Sequence, residues 1–181
     1  MNELFSDITI PPLGFDVVVI DPPWPVKKIT RQKRPNQKSM DYVIMSLEDI
    51  KNLPIKPLVS ESGWIFLWTT QKFLFDAKEV MEGWGIKLLN VMVWEKTYGV
   101  SNGMPLFGFR YNAEFVLVGY INKPPLWPAR KLIPLVFQGK NTKHSKKPDE
   151  FYELISGLGA TRLDVFARNL REGWTVWGNE V

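Results

Sequence analysis

Asp21-Pro22-Pro23-Trp24 stands at the end of an apolar run and combines three properties useful for chemistry. The two prolines fix φ and remove two backbone donors, so the turn is rigid and rich in acceptors. Asp21 adds a carboxylate, and Trp24 adds a flat π face. An exocyclic amino group such as that of adenine carries two N–H donors and a lone pair delocalised into the ring. Asp21 and the Pro22 carbonyl can accept both hydrogens and return electron density to nitrogen, readying it to attack an electrophilic methyl group. Trp24 can stack on the ring, a contact worth about 1–3 kcal/mol. Such a site works by positioning and electrostatics, with little need for a strong base. The plainer reading of the same tetrapeptide is a surface turn with a half-buried Trp.

The elements that must position this turn are legible from periodicity. FDVVVID (15–21) is a β-branched apolar run stopped by proline and reads as a buried strand. SLED (46–49) is a capping-box pattern opening a short helix through Leu53, closed by Pro54. GWIFLWT (63–69) is a second buried strand. Residues 70–84 are apolar at helical spacing, with Thr70 as a candidate N-cap and Gly85 placed to end the helix. Further strands are expected at 86–96, 113–120, 161–167 and 174–178, with a Pro-containing edge strand at 132–138 and a loop over 97–112. Pro148, Asp149 and Glu150 start a helix expected to run through Leu158 to Gly159. Strands alternating with helices predict a single α/β domain over 1–181, its sheet mostly parallel and covered on both faces. In such sheets ligands bind beyond the carboxyl ends of strands at a switch point, where DPPW and ARNLREGW (167–174) both fall.

Composition narrows the chemistry. The chain has no cysteine, which excludes disulfides, thiolate zinc sites and thiol nucleophiles, and a single histidine, His144, argues against a histidine-rich metal site or a Ser-His triad. No metal is therefore expected. His144 itself reads as a loop or helix-entry residue. The N-terminus lacks the pattern of a signal peptide, and no apolar run is long enough to span a membrane, so a cytoplasmic protein is expected. Residues 25–40, 122–132 and 138–147 hold 13 of the 23 basic residues and no acid. These loop-like segments make either a patch for phosphates or three unrelated solvated surfaces. Lys27, Lys28, Arg31, Lys33 and Arg34 directly follow the DPPW turn and are the candidate phosphate contacts. Trp64, Trp68, Trp84 and Trp94 read as core; Trp127, between prolines in a basic loop, reads as exposed, either contacting substrate or not; Lys96, following a strand, is a candidate to face the pocket and is assigned no role.

The ordered series of motifs resembles the MT-A70 family of adenine-N6 methyltransferases. DPPW is that family's catalytic motif. Tyr42 to Ser46, GWIFLWTT, the helix ending in WG, VWEKT, KPDEFYELI, RLDVFAR and WTVWGNE follow at similar spacing. The resemblance implies a Rossmann-like fold with permuted motif order, the catalytic strand first and the cofactor strand late, and S-adenosylmethionine as cofactor. It implies that Asp164, Asn179 and Glu180 hold the cofactor's ribose, with Arg168 beside it and Asn169 or Arg171 nearby. Asp7 and Ile8 would meet the cofactor's adenine, and Tyr42 the incoming base. The segment RNLREGW is shorter than the family's eukaryotic R-P-H-N-V-x-P-N-W, which leaves the equivalence of Asn169 open. Ala113 stands where the messenger-RNA enzyme has lysine, so substrate contacts near Glu114 differ.

The expected substrate is adenine in DNA, with RNA as the alternative, and a homo- or heterodimer is possible. The reacting base must leave its stack to reach Asp21, with the loops 25–41 and 97–131 assisting. A nucleic-acid-binding subunit that has lost catalysis is the rival class. The intact DPPW argues against it.

Overall fold

A computed structural model describes residues 3–26, 44–97, 111–123, 132–140 and 146–178. Seven strands form one sheet in the order β5-β3-β4-β2-β1-β6-β7. They are β1 (Phe15–Ile20), β2 (Val59–Thr69), β3 (Lys87–Lys96), β4 (Ala113–Tyr120), β5 (Val136–Gly139), β6 (Arg162–Val165) and β7 (Thr175–Trp177). All run parallel except β4, which opposes both neighbours. The sheet is thus mixed but mostly parallel, the α/β architecture expected.

Alternation along each strand decides which residues serve which face. In β1, Val18 and Ile20 point to one side and Val17 and Val19 to the other. On the first side lie α1 (Leu47–Lys51) and α2 (Leu74–Gly83), which bury Ile50, Ala77, Val80 and Met81 against Ile65, Leu67 and Leu117 of the sheet. On the second lies α3 (Asp149–Ile155), whose Phe151 and Ile155 pack on Phe66, Trp68 and Trp94. All four tryptophans expected in the core are buried there.

Local signals hold where they rest on adjacent residues. Ser46 caps α1 through a reciprocal bond with Asp49, and Gly85, at φ +74°, follows the last turn of α2. Thr70 makes no side-chain cap; a 3-10 turn, Gln71–Phe73, precedes α2 instead. The last helix is shorter than its apolar pattern implies, with Pro148 as its N-cap and Ser156 as its C-cap. The Pro-containing stretch contributes only Val136–Gly139, at the sheet edge, because Pro134 cannot donate to a ladder. Among the described residues, no helix is long and apolar enough to cross a membrane.

This topology brings the carboxyl ends of β1, β2, β3 and β6 to one edge, together with the amino end of β4. The strand order reverses between β1 and β6. The chain goes from β1 to β2 on one side, and only later returns to the other side as β6.

Candidate active site

Asp21 follows Ile20 and by alternation faces α3. Its own N–H donates to the Val165 carbonyl at 3.2 Å, tying the turn to β6. The two following turns are tight. Trp24 N–H donates to the Pro22 carbonyl at 2.8 Å and Val26 N–H to the Trp24 carbonyl at 2.7 Å. Each is a three-residue turn centred on a proline, Pro23 and then Pro25, whose fixed φ suits that geometry. The Pro22 carbonyl therefore has one lone pair engaged and one left for a ligand donor. Met45 N–H donates to the Pro23 carbonyl at 3.0 Å and fastens the far end of the segment.

Trp24 corrects an expectation. Its indole N–H donates to the Trp68 carbonyl at 2.9 Å, and its ring lies stacked on Phe73, centroids 5.5 Å apart and planes 13° from parallel. At 6% exposed, it belongs to the core and offers no open face to a base. It latches the DPPW turn to the end of β2. Trp24→Phe is expected to cost about 1–2 kcal/mol of stability in urea denaturation, because the Trp68 carbonyl loses a buried donor. Turnover is expected to fall far less than in an Asp21 variant. Unchanged stability with lost turnover would restore the stacking role.

One row of polar side chains crosses five adjacent strands on the α3 side. Lys96 on β3, Glu114 on β4, Asp21 after β1 and Asp164 on β6 share that face, with the Trp68 ring of β2 in the middle. Lys96 pairs with Glu114. Lys147, just ahead of α3, closes the row from above: its ammonium donates to Glu114 Oε2 at 3.0 Å, pairs with Asp21 Oδ1 at 3.1 Å and stands 5.0 Å over the Trp68 ring. All five of these charged side chains are largely buried.

Burial raises Asp21, opposed chiefly by Lys147 and reinforced by the Glu114 charge, and the net direction is upward. Burial alone would also raise Glu114, but two lysines beside it hold it low. Lys147 is the converse, since burial disfavours its charge yet two carboxylates hold its pKa up. The site thus keeps a charged ammonium against the acceptor expected to serve the substrate amine.

Beyond the carboxyl ends of β1 and β6 opens a small cleft, about 20 Å³, lined by Asp21, Lys147, Tyr152, Asp164, Arg168, Asn169 and Arg171. Asp164 is 5% exposed and accepts from the Tyr152 hydroxyl at 2.8 Å. Burial first, and then the nearby Asp21 charge, push its pKa up to about 7, against the Tyr152 hydrogen bond and the Arg171 and Lys147 charges. The chain beyond β6 enters the left-handed region at Phe166, φ +62°, whose ring meets Trp177 edge-on at 5.3 Å. Gly178 lies so close that a Cβ there would fall 2.5 Å from the Ala167 carbonyl oxygen, so only glycine fits where β7 passes this loop.

The structure thus brings Asp21, Asp164, Arg168 and Asn169 together at the cleft. Asp7, in an exposed N-terminal turn, and Ile8, half-buried against the core, do not line it. Their neighbour Phe5 packs edge-on against Trp177 at 4.7 Å, which holds the turn to the end of β7. Lys27, Lys28, Arg31, Lys33, Arg34, Tyr42, Trp127, His144, Asn179 and Glu180 lie outside the described residues. Sequence reasoning missed Lys147, which was counted within a basic loop, and left Lys96, a candidate to face the pocket, without a role. The signal for Lys147 was its place directly before the helix-opening Pro148 within KPDEFYELI. Lys146, counted in the same patch, is engaged by Asp149 at 2.9 Å.

The MT-A70 family model matches residues 15–180. The human N(6)-adenine-specific methyltransferase METTL4 is 31% identical over 186 residues, covering 92% of this chain and 37% of that protein. The N6-methyladenosine RNA methyltransferase MTA1 of Pyricularia oryzae is 28% identical over 188 residues, covering 93% of this chain and 47% of that protein. An Arabidopsis thaliana N(6)-adenosine-methyltransferase MT-A70-like protein is 28% identical over 175 residues, 92% of this chain and 24% of its own length. The chain thus spans less than half the length of these curated relatives. Matched from its first strand to nearly its last residue, the chain belongs to the MT-A70 family.

Proposed function

We propose that this chain transfers a methyl group from S-adenosylmethionine to the N6 amino group of adenine in a nucleic acid. The supporting observation is the juxtaposition, at one sheet edge, of Asp21 against Lys147 with a cleft leading to Asp164. The residues fit the cofactor's chemistry. Lys147 and Arg168 suit a carboxylate, while Asp164 is an acceptor for sugar hydroxyls or an ammonium. When bound, S-adenosylmethionine supplies an electrophilic methyl group. Asp21 and the remaining lone pair of the Pro22 carbonyl accept hydrogen bonds from the two amino N–H groups, which holds the nitrogen in place and localises its lone pair. As N–CH3 forms and the sulfonium S–CH3 bond breaks to leave a neutral thioether, the nitrogen releases one proton to Asp21 or solvent. Lys147 opposes the rise that burial imposes on Asp21 and gives up part of that contact as the amine arrives. The basic segment after the turn holds phosphates.

DNA is the polymer we propose. RNA is the second reading, favoured by the name of the Pyricularia oryzae relative. Labelled S-adenosylmethionine should transfer label to oligonucleotides containing a single adenine, and nucleoside chromatography should identify N6-methyladenine. Comparing DNA with RNA of the same sequence distinguishes the polymers. Cofactor binding without transfer to either polymer would sink the reading. Neutralising Lys33 and Arg34 together is expected to weaken binding of unrelated sequences about equally and to flatten its salt dependence. An unchanged salt slope would reduce that loop to a solvated surface.

A further inference from the structure

Arg171 makes more contacts than a surface loop residue requires. Its guanidinium carbon lies 3.6 Å from the centroid of the Tyr152 ring, and Nη1 donates to Asp149 Oδ1 at 3.0 Å. Asp149 and Tyr152 are one turn apart on α3, so a single planar side chain spans both. Nε is buried and meets no acceptor among the described residues. The carbonyl of Arg171 accepts from Trp174 N–H at 3.1 Å, closing a turn at Gly173, φ +74°.

The loop fastened in this way carries the left-handed Phe166 at its start, and Arg168 and Asn169 at the cleft. Tyr152 is held on its face by Arg171 and by steeply angled ring contacts with Phe151, 5.2 Å away, and Trp174, 5.3 Å away. Its hydroxyl therefore has one place to go, Asp164 Oδ2. Oδ1 of Asp164 receives no hydrogen bond among the described residues. It is the oxygen left for a ligand.

We propose that Arg171 is a positioning residue of the cofactor cleft, pinning the loop after β6 to α3 and holding Tyr152 so that Asp164 presents Oδ1 to the cofactor. The inference rests on the reading that S-adenosylmethionine occupies this cleft, and it extends that reading to a residue that need not touch the cofactor. A second consequence is electrostatic. The groups acting most strongly on Asp164 are Tyr152 from α3, Arg171 from the loop, Lys147 ahead of α3 and Asp21 after β1, with Arg168 also lining the cleft. Of Arg171 and Lys147, Arg171 is the one whose removal leaves the Asp21–Glu114 cluster paired. Its loss makes Asp164 harder to ionise.

Calorimetric titration of the full chain with S-adenosylmethionine between pH 5.5 and 8.5 tests this. An ionised carboxylate is the better acceptor, so parent affinity should rise as pH climbs through about 7 and then level off. Asp164→Asn should bind more weakly with no such rise. Arg171→Gln should bind about tenfold more weakly at pH 7, with its rise displaced to higher pH. Arg171→Lys, which keeps the charge and the partner Asp149 but not the planar stack, should lose affinity with a smaller displacement. Tyr152→Phe combined with Arg171→Gln should cost less than the product of the two single effects, because both act on one hydrogen bond. A rise in Arg171→Gln at the parent's pH, with costs that simply multiply, would overturn the inference and leave Arg171 a structural tie. An Asp164→Asn variant indistinguishable from parent would instead remove the cofactor from this cleft, and the inference with it.

Discussion

Asp21→Asn is expected to reduce methyl transfer by at least about 10³-fold while changing the affinity for S-adenosylmethionine by less than about threefold. The amide keeps the size of the carboxylate but places a donor where the substrate amine needs a second acceptor, and it cannot draw density onto the nitrogen. The fold should not suffer. Asp21 has a folded-state pKa above its unfolded value, so its ionised form costs stability as pH rises through that window. Removing the charge relieves the cost at neutral pH, and Lys147 keeps Glu114 as a partner. Thermal denaturation and turnover on the same preparation separate the two effects. Turnover within tenfold of parent would mean that the row of charges has another purpose.

Lys147→Met should be the most damaging single change to stability, by about 3–5 kcal/mol, since it leaves buried carboxylates without their shared cation. The deficit should depend on pH in a definite direction. Without Lys147, Asp21 is raised further above its unfolded pKa, so the folded state takes up a proton that the unfolded state has already released. Stability is then retained at low pH and lost as pH rises through the folded-state value. The gap between variant and parent should therefore be wider at pH 8 than at pH 5. Adding Asp21→Asn removes the stranded charge and should recover part of the loss. Urea titrations of the four proteins at both pH values test this. A gap independent of pH, or strictly additive substitutions, would show that Lys147 contributes by packing its stem alone.

Most of the fold was legible because its signals are local. The alternation of Val17 and Val19 against Val18 and Ile20, the Ser46–Asp49 cap and the glycine after α2 each rest on residues a few positions apart. The same alternation places Glu114 on the face of Val116 and Val118, and Lys96 on that of Met92 and Trp94. What periodicity cannot supply is strand order. Lys96, Glu114, Asp21 and Asp164 become one row only because β3, β4, β2, β1 and β6 are consecutive in the sheet. Lys147 looked like one more loop cation because its two carboxylate partners are 126 and 33 positions away in the chain. Trp24 looked available for the same reason, since the carbonyl that claims its indole is 44 residues distant.

The reversed direction of β4 has a consequence for how this scaffold can change. A parallel neighbour delivers its connection to the opposite edge and must carry it back across a face of the sheet. Because β3 and β4 are antiparallel, the segment joining them leaves and re-enters beside Lys96 and Glu114, at the rim of the proposed active site. A connection between antiparallel neighbours can in general change length without rethreading any other strand, at an entropic cost that grows only with the logarithm of its length. Transplanting the 97–112 segment from a relative tests whether target choice travels with it while the row of charges beneath stays untouched.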